Sequence, residues 1–222
     1  MRQISRLSVI AVSIALLMTL SSCSDTQNTP ETDDQPSTPT ENRETVTSGQ
    51  ISDVPENNNA SGESPQGSVT DAANFEITEN EDGTVTISRY IGTETDIVIP
   101  SQIDGKTVSA IGNVTGTTGA FEGCTSITAV VIPDGVTEIQ DNAFYGCTSL
   151  ETVTIPSSVT LLRNCAFCDC PNLRAVYFKG DAPQQANYVF DSTENVTMYY
   201  QDGTSGWENP WHGRPAEVYI PE

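Results

Sequence analysis

The sequence predicts a β-rich solenoid of the α+β type, and three observations predict it. The first is a period of 23 residues. Phe121, Phe144 and Phe167 stand at that spacing, as do Cys124, Cys147 and Cys170. Ile127, Leu150 and Leu173 follow, then Val130, Val153 and Val176, and Ile132, Ile155 and Phe178 two residues further on. A fixed period in this range marks stacked repeats, each too small to bury its own apolar face. The second is the recurring Ala-Phe-x-x-Cys phrase before each apolar run. A plain β-sandwich needs alternating faces and hairpins but no such phrase. The third is a composition break near Phe75, before which large apolar residues are rare as far back as Ser24.

Each copy reads L-x-x-L-x-L with aliphatic replacements, the strand pattern of a leucine-rich repeat. The chain divides accordingly. Residues 1–22 read as a signal peptide: Arg2 and Arg6 precede an uncharged apolar run, Leu7 to Leu20, of 14 residues. That is short of the roughly 20 a membrane-spanning helix needs. Leu20-Ser21-Ser22-Cys23 then resembles the bacterial lipobox, which implies that Cys23 becomes the mature N-terminus and carries lipid. Two or more acyl chains anchor stably, at about 0.8 kcal/mol per buried CH₂. Residues 23–74 are expected to be a lipidated cysteine and an acidic tether, with ten acids against the single base Arg43 from Ser24 onward. Such a composition cannot bury enough surface to offset ordering entropy. Fully stretched, it would reach on the order of 170 Å, and as a flexible coil about 40 Å.

The repeat domain is expected over 75–222, with an N-terminal cap and degenerate repeat at 75–119, regular repeats at 120–178 and a C-terminal cap at 179–222. Phe75–Thr78 and Thr84–Ile87 alternate apolar and polar around the Glu81-Asp82-Gly83 turn, as a hairpin does. A solenoid needs a cap because its open end exposes core and strand edge. Ile97-Val98-Ile99-Pro100 reads as a first repeat strand. Val108 and Ile111 take the places of Val136 and Ile139, and of Val159 and Leu162. About ten extra residues in this unit fall on the Asp104-Gly105 turn and a Gly/Thr loop from Asn113 to Gly119. Pro133 and Pro156 close strands where a missing N–H is tolerated.

The residues AFEGCTSITAVVIPDGVTEIQDNAFYGCTSLETVTIPSSVTLLRNCAF, Ala120 to Phe167, resemble the BspA-like leucine-rich repeats of bacterial surface proteins, and the resemblance covers about Phe75 to Glu222, both caps included. The phrases Ala-Phe-x-Gly-Cys-Thr-Ser-Leu and Val-x-Ile-Pro carry the resemblance. It implies a curved solenoid at the bacterial cell surface, with roles in adhesion or recognition and no shared catalytic residues. The last full repeat departs from the pattern, placing Cys165, Cys168 and Asp169 where Asn142, Tyr145 and Gly146 stand.

The charge, 9 basic against 30 acidic residues for a net −21, argues against nucleic acid. Outward strand positions form a small, nearly neutral strip: Asp96, Val98, Ala129, Val131, Thr152, Thr154, Ala175 and Tyr177. This is the expected face for a surface or matrix protein, or equally an ordinary exposed sheet. The alternative is a glycan platform of Trp207, Trp211 and Tyr199, aromatic residues that more often plug a solenoid's end. A purely structural envelope component is the third reading. Cys124, Cys147 and Cys170 read as a buried ladder of thiols. Cys165 and Cys168 read as a local bridge or two free thiols, because a tetrahedral zinc site wants a fourth ligand that is not evident. No cofactor or metal is expected. Catalysis has little support: His212 is the sole histidine, and no nucleophile or phosphate-loop motif accompanies it.

Overall fold

The computed structural model describes residues 67–113 and 118–220. Cys23, the leader and most of the tether lie outside these residues, as does the middle of the Gly/Thr loop. The strands are β1 (Phe75–Glu79), β2 (Val85–Tyr90), β3 (Asp96–Val98), β4 (Gln102–Ile103), β5 (Lys106–Ile111), β6 (Ala129–Val131) and β7 (Glu138–Ile139). They continue as β8 (Thr152–Ile155), β9 (Leu161–Leu162), β10 (Ala175–Phe178), β11 (Gln184–Gln185), β12 (Thr197–Gln201) and β13 (Ala216–Tyr219).

β1 and β2 pair antiparallel, joined by a turn in which Gly83 takes a φ of 83°. A residue with a Cβ adopts that left-handed geometry only at a cost. β2 then runs parallel to β5, so the hairpin forms the N-terminal end of one sheet. From there the chain alternates between two sheets. One runs β1-β2-β5-β7-β9-β11, with β4 folded back on β5; the other runs β3-β6-β8-β10-β12-β13. Among the described residues the named strands outside the β1-β2 and β4-β5 hairpins all pair in parallel, as coils wound in one direction require.

The third side of each coil is a turn, not a helix. The α component expected from the sequence is absent among the described residues, where the only helix is a 3₁₀ turn at Ala72–Asn74. The reason is local. Asn142, Cys165 and Tyr188 take φ values of 57°, 52° and 63°, and Gly146, Asp169 and Ser192 take 68°, 53° and 54°. Two left-handed residues within five positions leave no room for an α-helical turn. These turns stack as the strands do: the amides of Phe121, Phe144 and Phe167 donate to the carbonyls of Ala143, Ala166 and Val189 at 2.7, 2.9 and 2.9 Å. Gly119 lies so close to its neighbour that a Cβ there would fall 1.7 Å from the Asn142 carbonyl oxygen.

An aromatic spine runs under these turns. Phe121 stacks on Phe144 with ring centroids 4.8 Å apart, Phe144 on Phe167 at 5.1 Å, and Phe167 on Phe190 at 5.4 Å. Tyr90 stacks on Phe121 at 5.3 Å and continues the spine into the hairpin. The repeat geometry therefore does not stop at Phe178, where the sequence suggested a cap begins. It passes through Val189, Phe190, Thr193 and Val196, all buried.

The domain also begins earlier than Phe75. The Thr70 amide donates to the Val98 carbonyl at 2.9 Å, and its hydroxyl accepts from the Val98 amide at 3.1 Å. Thr70 thus covers the otherwise free edge of β3, which would expose unpaired backbone groups. At the other end, no described strand pairs the outer edge of β13. Val218, aligned with Tyr200 in the core-facing row, is accordingly 51% exposed, and Ile220 81%.

Candidate interaction surface

The second sheet sets two outward rows by register. Asp96, Ala129, Thr152, Ala175 and Thr197 form one, and Val98, Val131, Thr154, Tyr177 and Tyr199 the other. All eight residues of the expected strip are therefore brought together. They do not form a uniformly exposed face. Ala129, Thr154 and Ala175 are buried, at 9%, 3% and 7% exposure. Strands stand about 4.8 Å apart, so a short side chain between larger neighbours is covered by them. Thr154 lies in register between Val131 and Tyr177. What water reaches is Asp96 at one end, Val98, Val131 and Thr152 in part, and a cluster of tyrosines at the other end.

That cluster is the site's most defined feature. Tyr177 on β10 stacks on Tyr199 on β12 at 5.2 Å, and Tyr219 on β13 meets Tyr177 edge-on at 5.4 Å. All three are half-buried. Burial, and then the neighbouring Tyr199 and Tyr219, push the Tyr177 phenol above its ordinary value; burial does the same to Tyr219. Both hydroxyls stay protonated at neutral pH and keep a proton to donate. Arg174, at the foot of β10, forms an ion pair with Glu151. Tyr199 and Tyr219 were not part of the strip read from the sequence, because their strands lie past the regular spacing.

The aromatic platform given as the alternative at the C-terminal end is not presented to solvent by Trp211. Trp211 is 4% exposed, packed edge-on against Phe178 at 5.6 Å. Trp207 stacks on Tyr200 at 5.0 Å and touches Phe178 and Trp211. These rings plug the end of the core. Tyr199 points the other way, because successive residues of a strand face opposite sides.

Cys165 and Cys168 are bonded as a disulfide, with Cα atoms 4.6 Å apart. Cys124, Cys147 and Cys170 form no disulfide and are fully buried. The Cys147 thiol donates to the Phe121 carbonyl at 3.0 Å, and Cys170 to that of Phe144 at 3.1 Å. Burial pushes the Cys147 thiol well above its ordinary pKa. A buried thiol is a poor nucleophile because the thiolate is the reactive form. These three cysteines are expected to resist iodoacetamide at neutral pH in the native protein and to react after denaturation, as peptide mass spectrometry would show. Native labelling of Cys147 at the rate of an exposed thiol would contradict the buried ladder. Among the described residues no three His, Cys, Asp or Glu side chains gather as metal ligands, and no helix is long and apolar enough to cross a membrane.

No curated protein is significantly similar to the chain. The BspA type leucine rich repeat region matches residues 109–204 in six copies. The fold is similar to the crystal structure of the T. pallidum leucine rich repeat protein, at 23% identity and a TM-score of 0.50, over 70% of this chain and 84% of that one. It is also similar to a leucine rich cell surface protein from Faecalibacterium prausnitzii A2-165, at 30% identity and a TM-score of 0.50, over 72% of this chain. The chain spans only 44% of the F. prausnitzii protein's length. Two parallel sheets, a stacked turn and a six-copy match agree: residues 109–204 of this chain are a BspA type leucine-rich repeat region.

Proposed function

We propose that this is a non-enzymatic binding protein of the bacterial surface, held to the membrane by lipid on Cys23 and recognising a protein partner through the outer face of its second sheet. The observation that carries the reading is the Tyr177–Tyr199–Tyr219 cluster. Tyrosine offers a large, amphipathic contact at low entropic cost, and such residues supply much of the energy of protein interfaces. Here mutual packing already restricts the rings, which lowers the cost of ordering them on binding. They sit on a hydrogen-bonded sheet beside an apolar strip ending at Val98 and Val131. The likeness to a protein described as a leucine rich cell surface protein supports the location. The acidic tether would hold the domain off the membrane.

The test is binding of the full chain to immobilised extracellular-matrix proteins, with Tyr177→Ala and Tyr199→Ala beside it. For whichever matrix protein is bound, Tyr177→Ala is expected to weaken binding roughly five- to thirtyfold, the range of an interface hot spot. Full affinity in both variants would remove this face from the interaction. Silence across the panel would favour a structural envelope role.

A further inference from the structure

A second site lies away from the tyrosine face. A cleft of about 400 Å³ opens between the turn after β11 and the segment preceding β13. Its walls include Gln185, Asn187, Tyr188, Asp191, His212 and Arg214. The size suits one sugar unit or a similar small group.

Two residues that line this cleft carry buried donors without acceptors. Gln185 Nε2 and Arg214 Nε are buried and have no hydrogen-bond partner among the described residues. Buried polar groups are nearly always paired, so two orphan donors on residues lining one small cleft need an explanation. Arg214 is already held in place, because its Nη2 donates to the Phe190 carbonyl at 2.9 Å. Its charge has no carboxylate partner among the described residues, whereas Lys106 pairs with Glu79, Arg163 with Glu138 and Arg174 with Glu151. A half-buried guanidinium without a carboxylate partner is suited to a carboxylate brought by a ligand, against the repulsion of the protein's net negative charge.

The rest of the lining suits hydroxyls. The amides of Gln185 and Asn187 can donate to and accept from them, and the exposed Asp191 can accept. Tyr188, 72% exposed at the rim, presents a ring face against which the C–H groups of a pyranose can lie. We infer that this cleft binds a carboxylate-bearing sugar residue of an acidic glycan, with Arg214 taking the carboxylate and Gln185 a ring or hydroxyl oxygen. The proposal is independent of protein recognition by the tyrosine face.

The experiment titrates the full chain, by calorimetry, with trigalacturonate, its methyl ester and a triglutamate peptide at millimolar concentration. Binding of trigalacturonate is expected, at least tenfold weaker for the methyl ester and for the peptide. Arg214→Gln should weaken it roughly ten- to a hundredfold, the range for a hydrogen bond to a charged group. Tyr188→Ala, which removes an exposed ring and keeps the proposal testable should Arg214→Gln fail to fold, should weaken it several-fold. No binding by the unsubstituted protein would overturn the inference. So would equal affinity for the methyl ester or the peptide, or trigalacturonate affinity unchanged in Tyr188→Ala and in folded Arg214→Gln.

Discussion

Replacing Phe144 by alanine is expected to lower the domain's stability by about 3–5 kcal/mol, the usual cost of deleting a fully buried phenylalanine. Phe144 has no exposed surface and is sandwiched between Phe121 and Phe167 at 4.8 and 5.1 Å. Its loss removes dispersion contacts on both faces and leaves a hole in the middle of the spine. The neighbours cannot fall in to fill it. Each is fixed by its own coil, with the Phe121 and Phe167 amides bonded to the next turn's carbonyls at 2.7 and 2.9 Å. A repeat array also depends on nearest-neighbour interfaces, so a defect at its centre weakens two of them. Total stability of an ordinary domain is about 5–15 kcal/mol, so the loss is a large share of it. Phe190 ends the spine with Phe167 as its one ring partner among the described residues, and is 6% exposed. Phe190→Ala should therefore cost clearly less. Urea unfolding of the full chain and both variants, followed by near-ultraviolet circular dichroism, gives the comparison. Equal costs at the two positions, or a cost near zero at Phe144, would mean that the spine is not the cooperative element.

The spine also shows where sequence reading succeeds and stops. Phe121, Phe144 and Phe167 were legible because a constant spacing places equivalent atoms in one line through a stack of coils. Phe190 keeps that spacing, but the reading ended at Phe178 for two physical reasons. Threonine replaces cysteine at position 193, and the strand after it is one residue closer, Met198 pairing with Val176 across 22 positions. A phrase detector loses the repeat at such a point, whereas backbone pairing does not. Tyr90 was invisible as a spine member because the hairpin that carries it has no repeat phrase. The sheet through β5, β7, β9 and β11 was hidden for another reason: β7, β9 and β11 are two residues each, too short for alternation to declare itself. On the candidate face, alternation told which side Thr154 and Tyr177 take. It said nothing of how far a neighbour's bulk covers them. The cleft around Arg214 had no signal at all, since Gln185 and Arg214 meet only because the chain after β12 returns to the end of the stack.

Thr193→Val is expected to cost about 2–4 kcal/mol although it alters only one hydroxyl in shape and volume, because it strands two buried backbone groups at about 1–3 kcal/mol apiece. Thr193 stands 23 residues after Cys170 and occupies the next rung of the thiol ladder. It is fully buried. Its hydroxyl donates to the Phe167 carbonyl at 2.7 Å and accepts from the Cys170 amide at 3.1 Å. Cys147 and Cys170 perform the first of these tasks with their thiols, donating to Phe121 and Phe144. The rung therefore demands a small side chain with a proton to give, and cysteine and threonine are two answers to one requirement. Valine keeps the size and fails the requirement, leaving an acceptor and a donor unpaired where water does not reach. Thr193→Cys restores a donor and should stay within about 1 kcal/mol of the parent, since a thiol is a weaker partner of similar bulk. Urea midpoints for the three proteins decide between a packing role and a bonding role. Valine better tolerated than cysteine would show that the rung is filled for volume alone; cysteine retained and valine lost would show that the ladder closes the backbone of each turn.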